Sequence, residues 1–153
     1  MSVLSPTLPR GPIDLGERLH DLPSEAEFGV DGLVGWKILH TPGHTPGHIS
    51  FFREEDRTLL PADAFCTTKS ESFFEAAVAQ KAELHGPPSY FTSDWNAARE
   101  SVRKLAELNP ATVAPGHGQP ISGPMVAGEL RTLAEKFDQI AIPDNRKTSA
   151  QAN

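Results

Sequence analysis

The run Thr41-Pro42-Gly43-His44-Thr45-Pro46-Gly47-His48-Ile49-Ser50-Phe51-Phe52 sets two copies of a Thr-Pro-Gly-His tetrapeptide directly before an apolar stretch. Proline fixes φ, and glycine lets the backbone turn sharply and approach its neighbours closely. An imidazole that follows such a pair is held at a defined angle on a stiff loop. The duplication is a local loop device, since no repeat of about 20 residues or more is visible along the chain.

On the N-terminal side of this run, residues 33–39 carry Lys37 between Trp36 and Ile38 and stop at a Pro-Gly pair, which predicts a strand entering a tight loop. Residues 48–53 predict a second strand. Glu54, Glu55 and Asp56 form a polar turn, and residues 58–62 predict a third strand ending at Asp63. The three together read as a short β-meander.

Further on, Phe73, Phe74, Ala77 and Val78 have helical spacing over 70–81, with Ser70 or Ser72 as cap. Residues 85–91, with Gly86, Pro87 and Pro88, predict a loop. Thr92 or Ser93 then caps a longer helix with Trp95, Ala98, Val102, Leu105 and Leu108 on one face, and Pro110 marks its end. A brief strand at 112–114 leads into Pro115-Gly116-His117-Gly118. Ser122 and Pro124 open a last helix in which Leu130, Leu133, Ala134, Phe137 and Ile140 share a face, and Pro143 closes it. Strands mixed with helices of this length predict an α/β (α+β) domain. Its expected parts are an irregular lead-in over 1–32, a folded unit over 33–143 and a flexible polar tail over 144–153.

The gross composition narrows the partners. A length of 153 residues with 38% hydrophobic content suits one core of ordinary size. The formal net charge of −6 supplies no positive surface for phosphates or anionic lipid, so neither nucleic acid nor a membrane is expected, and a small-molecule substrate is. The single cysteine, Cys66, cannot form an internal disulfide, and the first residues show neither the basic nor the apolar region of a secretory signal. A cytoplasmic protein is the expectation.

Three candidate metal ligands stand immediately after predicted strands in turn-rich settings: His44, Asp63 and His117. Imidazole and carboxylate suit Zn²⁺, Fe²⁺ or Mn²⁺, and two histidines with one aspartate leave a coordination position open for water. Read singly, the residues leave another account open. A histidine in a loop more often faces solvent than binds a metal, and an aspartate after a strand is commonly a turn former.

Read as words, they resemble one family. Residues 41–52 are similar to the third metal motif of the metallo-β-lactamase superfamily, including its glyoxalase II-like hydrolases. Leu59-Leu60-Pro61-Ala62-Asp63-Ala64-Phe65 is similar to the strand and bridging aspartate that follow it, although that family usually has glycine where Ala62 stands. Pro115-Gly116-His117-Gly118 is similar to the final histidine motif, and order, spacing and wording agree over roughly residues 33–141.

The resemblance implies that His44 ligates a first metal and His117 a second, with Asp63 bridging both. It implies zinc, with iron or manganese as alternatives, and a metal-bound hydroxide that attacks an ester, thioester, lactone or amide. Asp63 and His48 become the candidate catalytic residues, His48 by orienting or hydrogen-bonding near the site; a histidine that merely starts a strand is the equal alternative. His85 and Tyr90, in the loop between helices, become candidate substrate-binding residues, with plain surface loop positions as the alternative. Cys66 reads as a small buried hydrophobe.

The superfamily's His-x-His-x-Asp-His motif belongs upstream of everything quoted, and no His-x-His occurs in these 153 residues. The resemblance therefore implies half of an αββα sandwich, a β-meander plus packed helices, truncated and weakly active alone. It further implies a bare sheet face through which the chain forms homo-oligomers, or binds another chain as a non-catalytic remnant.

Overall fold

The computed structural model describes residues 14, 16–18, 33–68 and 83–144. The helix expected over 70–81, nearly all of the lead-in and the tail after 144 lie outside the described residues.

Strands β1 (Trp36–His40), β2 (Ile49–Arg53) and β3 (Thr58–Ala62) form the expected antiparallel meander. Pairing runs Lys37 to Phe52 and Phe52 to Leu59, so these residues share one face, while Ile38, Phe51 and Leu60 share the other. Strand β1 starts later than 33 because residues 33–36 close a turn, with the Trp36 amide donating to Leu33 O and Gly35 at φ 81°. The β2–β3 turn is pinned by Asp56, which accepts from the Arg53 guanidinium and from the Thr58 amide.

After β3 the topology changes. Strand β4 (Thr112–Pro115) lies parallel to β3, and the register shifts between Leu59 and Ala62, where Ala62 takes a left-handed φ of 48°. A fifth strand, β5 (Ile121–Ser122), pairs antiparallel with β4. It was not expected: Ser122, read as a helix cap, is a strand residue whose hydroxyl accepts from Thr112 Oγ1.

Helix α1 (Trp95–Glu107) follows the predicted apolar stripe and buries Ala98, Val102 and Leu105. Its cap is Asp94, whose carboxylate accepts from the Ala97 amide at 2.9 Å. Thr92 and Ser93 are drawn elsewhere: the Thr92 hydroxyl donates to Pro88 O and the Ser93 hydroxyl to Gly43 O. The last helix is two pieces, α2 (Val126–Glu135) and α3 (Phe137–Ile140), broken at Lys136, where φ is −106° and ψ is 25°. The break takes Ile140 off the shared face and leaves it exposed.

Phe52, Leu59 and Val113 from the sheet meet Ala98, Val102 and Leu105 of α1, and Leu130 and Leu133 of α2, in one buried cluster. Each of the Phe, Leu and Val side chains contributes about 1.5–3 kcal/mol of burial. The cluster fastens the helices to one face of a five-stranded sheet. The strand ends that carry Asp63 and His117 are thereby fixed side by side.

Candidate metal centre

Parallel pairing brings Ala62 opposite Pro115, so the chain leaves β3 and β4 in the same direction, with Asp63 and the Gly116-His117 pair as the next residues. The Gly116 amide donates to Ala62 O at 2.9 Å and keeps the two exits together. A Cβ on Gly116 would stand 2.6 Å from Asp63 Oδ1, so the absence of a side chain there leaves room for the carboxylate.

His44 arrives from the loop after β1. The carbonyl of Gly43 accepts the amides of Ser93 and Asp94, both at 3.0 Å, while the Ser101 hydroxyl donates to Pro42 O at 2.7 Å. Residues leading into α1 and in its middle thus grip the backbone next to His44. Its Nδ1 lies 3.5 Å from Thr92 Oγ1, and the edge of its ring meets Phe91 at 6.4 Å between centroids.

The three predicted residues come together around the carboxylate. His44 Nε2 is 3.7 Å from Asp63 Oδ2, and His117 Nε2 is 3.5 Å from Asp63 Oδ1. Two ligands on one tetrahedral zinc, with bonds of 2.0–2.2 Å, stand about 3.4 Å apart, so both separations are close to ligand spacing. Among the described residues no group of three or more His, Cys, Asp and Glu side chains stands arranged to hold one metal ion. The arrangement is one carboxylate flanked by two imidazoles, each facing its own oxygen.

Asp63 Oδ1 is buried and has no hydrogen-bond partner among the described residues. An ionised carboxylate oxygen left so is costly. Because it faces an imidazole across a gap of ligand width, Asp63 Oδ1 and His117 Nε2 are spaced as two ligands of one divalent cation would be.

His48 is buried on the side of the sheet that faces the helices, 6.0 Å from the His44 ring between centroids. Both of its nitrogens are engaged. Nε2 accepts the Asp63 backbone amide at 3.0 Å, and Nδ1 lies 2.9 Å from both the carbonyl and the hydroxyl of Thr41. Burial holds its pKa below the ordinary histidine value, partly offset by the bond to the Thr41 backbone and reinforced by the neighbouring His44. Cys66 is fully buried, and burial, with the negative Asp63 second, pushes its thiol up to about 12. The free thiol is therefore protonated at neutral pH.

His85 and Tyr90 are both in the loop before α1, in different settings. His85 makes a two-way backbone bridge with Cys66, at 2.8 and 3.1 Å, while Tyr90 is exposed. The ring that touches the site is Phe91, which the sequence reading passed over and which is also exposed. Thr67 was missed too: its amide donates to His117 O at 3.1 Å and its hydroxyl to Gln119 O at 2.6 Å. The Thr-Pro-Gly-His wording could have pointed to Thr41. Nothing in the sequence around Thr67 pointed to a loop some 50 residues away.

A family model described as the metallo-beta-lactamase superfamily matches residues 2–117. Among curated proteins, the chain is 43% identical over 137 residues to "Probable metallo-hydrolase YflN" of Bacillus subtilis (strain 168), covering 90% of this chain and 51% of YflN. It is 34% identical over 114 residues to "Probable metallo-hydrolase YqjP" of the same organism, covering 73% of this chain and 31% of YqjP. The chain thus spans about half the length of the first relative and about a third of the second. Among solved structures, TTHA1623 in a di-iron-bound form matches at 25% identity and a TM-score of 0.42, over 85% of this chain and 49% of that one. With a family model matching most of its length, and the histidines and aspartate of the corresponding motifs meeting at one end of the sheet, the chain belongs to the metallo-β-lactamase superfamily.

Proposed function

We propose that this chain supplies His44, Asp63 and His117 to the metal site of a hydrolase acting on an ester, thioester, lactone or amide carbonyl. The observation that carries the reading is the Asp63 carboxylate, whose oxygens face different imidazoles at 3.7 and 3.5 Å while Oδ1 lacks a hydrogen-bond partner among the described residues. A bound zinc, iron or manganese ion supplies carbonyl polarisation and activation of water near neutral pH. Asp63 spans the two imidazoles and neutralises cationic charge. Thr92 and Phe91 limit how far the His44 ring can swing, and the exposed Phe91 ring beside it offers an apolar surface to the acyl part of a small substrate. The relatives named probable metallo-hydrolases support the same class of reaction.

The test is zinc titration followed by hydrolysis of simple esters and thioesters. Asp63→Ala is expected to lower zinc affinity by at least about 100-fold, the upper end of what even the outer partners of a ligand cost. Undiminished zinc binding by that variant would reject the reading.

A second reading, self-association, is favoured by the row Ile38, Phe51 and Leu60 on the face opposite the helix cluster, where Phe51 and Leu60 are only half-buried. We propose that another copy of the chain covers this row. Sedimentation that gives one monomer mass at every concentration would reject it.

A further inference from the structure

Beneath the site runs a buried polar chain whose hydrogen-bond directions are all determined. The Ser50 hydroxyl donates to Pro61 O at 3.2 Å. Its proton being committed, the Thr41 hydroxyl 2.8 Å away donates to Ser50 Oγ. The oxygens of Thr41 then accept from His48 Nδ1, which must carry the ring proton because Nε2 accepts the Asp63 amide. Thr41 and Ser50 are almost wholly inaccessible and His48 nearly so. Every polar atom of the chain has a partner, the condition under which a buried network rigidifies what it holds.

What it holds is a strained turn. Ala62, with φ at 48°, is a non-glycine residue in the left-handed region, a conformation that persists only where the surroundings over-determine it. The network grips it from both sides, at Pro61 O through Ser50 and at the Asp63 amide through His48, while Gly116 holds Ala62 O. The direction in which the Asp63 carboxylate leaves the backbone is set by that turn.

We infer that His48, fixed as its Nδ1–H tautomer by Thr41 and Ser50, is a positioning residue that aims the Asp63 carboxylate between His44 and His117. It acts through the Asp63 backbone and touches no substrate. The consequence for metal binding rests on the function proposed above; the positioning itself does not.

Two variants separate the ring's two bonds. His48→Gln places an acceptor oxygen near the position of Nε2 and keeps the bond to the Asp63 amide, whereas His48→Asn reaches only as far as Nδ1 and loses it. In the metal-free, ¹⁵N-labelled chain, a two-bond ¹⁵N–¹⁵N coupling between the Asp63 amide and His48 Nε2 is expected, with ring shifts of the Nδ1–H tautomer. Asp63 amide exchange should stay slow in His48→Gln and become fast in His48→Asn. Zinc affinity, read by calorimetry, should fall about 10–100-fold in His48→Asn and be largely restored in His48→Gln, with both variants unfolding at similar temperatures. An absent coupling, the opposite tautomer, or equal zinc affinity in the two variants would overturn the inference. A wild-type chain that binds no zinc would reject the metal reading, and the coupling and exchange would then decide the positioning role alone.

Discussion

Gly43 and Ala98 meet backbone to backbone: a Cβ on Gly43 would stand 2.4 Å from both the nitrogen and the Cα of Ala98. The loop that carries His44 therefore lies directly on the first turn of α1, and Gly43 itself sits at φ 134°. Gly47, the equivalent residue of the second tetrapeptide, has open space among the described residues where its Cβ would go. Gly43→Ala should destabilise the fold by about 3 kcal/mol, through overpacking against a helix backbone and a strained φ. Gly47→Ala should stay within about 0.5 kcal/mol of wild type. Urea unfolding of the two variants measures the contrast, and similar midpoints would contradict it.

Gly116→Ala should separate binding from stability. The added methyl meets Asp63 Oδ1 at 2.6 Å, the end of a side chain that can swing away. Stability should fall less than in Gly43→Ala, while zinc affinity drops about 10-fold or more as the carboxylate leaves its place between the imidazoles. Parallel melting and calorimetric titration would detect a variant that still binds zinc as wild type does.

Ala62→Gly should stabilise the chain by about 1 kcal/mol, since glycine adopts a φ of 48° without the clash that Ala62 bears. The superfamily resemblance places glycine at this position. A lower unfolding midpoint would mean that the turn carries no strain.

Acid should weaken the metal-free fold through His48. Its folded pKa lies below the ordinary 6.5, so the unfolded chain binds the extra proton first and stability rises with pH across that interval. The contribution is complete above pH 6.5 and is lost as the pH falls from there through the folded value. His48→Gln should flatten this part of the pH dependence. Denaturant midpoints that change equally with pH in both proteins would assign the effect elsewhere.

The meeting of His44, Asp63 and His117 was legible because each carries its own local signal, a histidine after Pro-Gly or an aspartate at a strand end. The meander was legible for the same reason: its turns are short and their residues adjacent. The supports of the site were not. Thr92, Ser93 and Asp94 are all capable caps, and the choice fell to Asp94 because the other two side chains bond to Pro88 and Gly43, across tertiary contacts that leave no periodic trace. Helical periodicity runs past Lys136 because a one-residue break preserves spacing on either side, and it is the turn of the backbone there that keeps Phe137 buried and leaves Ile140 exposed.

The parallel pairing of β3 with β4 also bears on folding order. An antiparallel neighbour can be reached through a tight hairpin, but β3 and β4 are joined by a long crossover that includes α1, and Asp63 meets His117 only after that loop has closed. The meander and α1 can each gather from contacts close in sequence, whereas the two sides of the carboxylate are joined by one of the long-range steps that slow folding. On the site proposed above, a cation that needs both Asp63 and His117 would find its full set of neighbours only once the crossover is complete, so its uptake would report the closing of that loop.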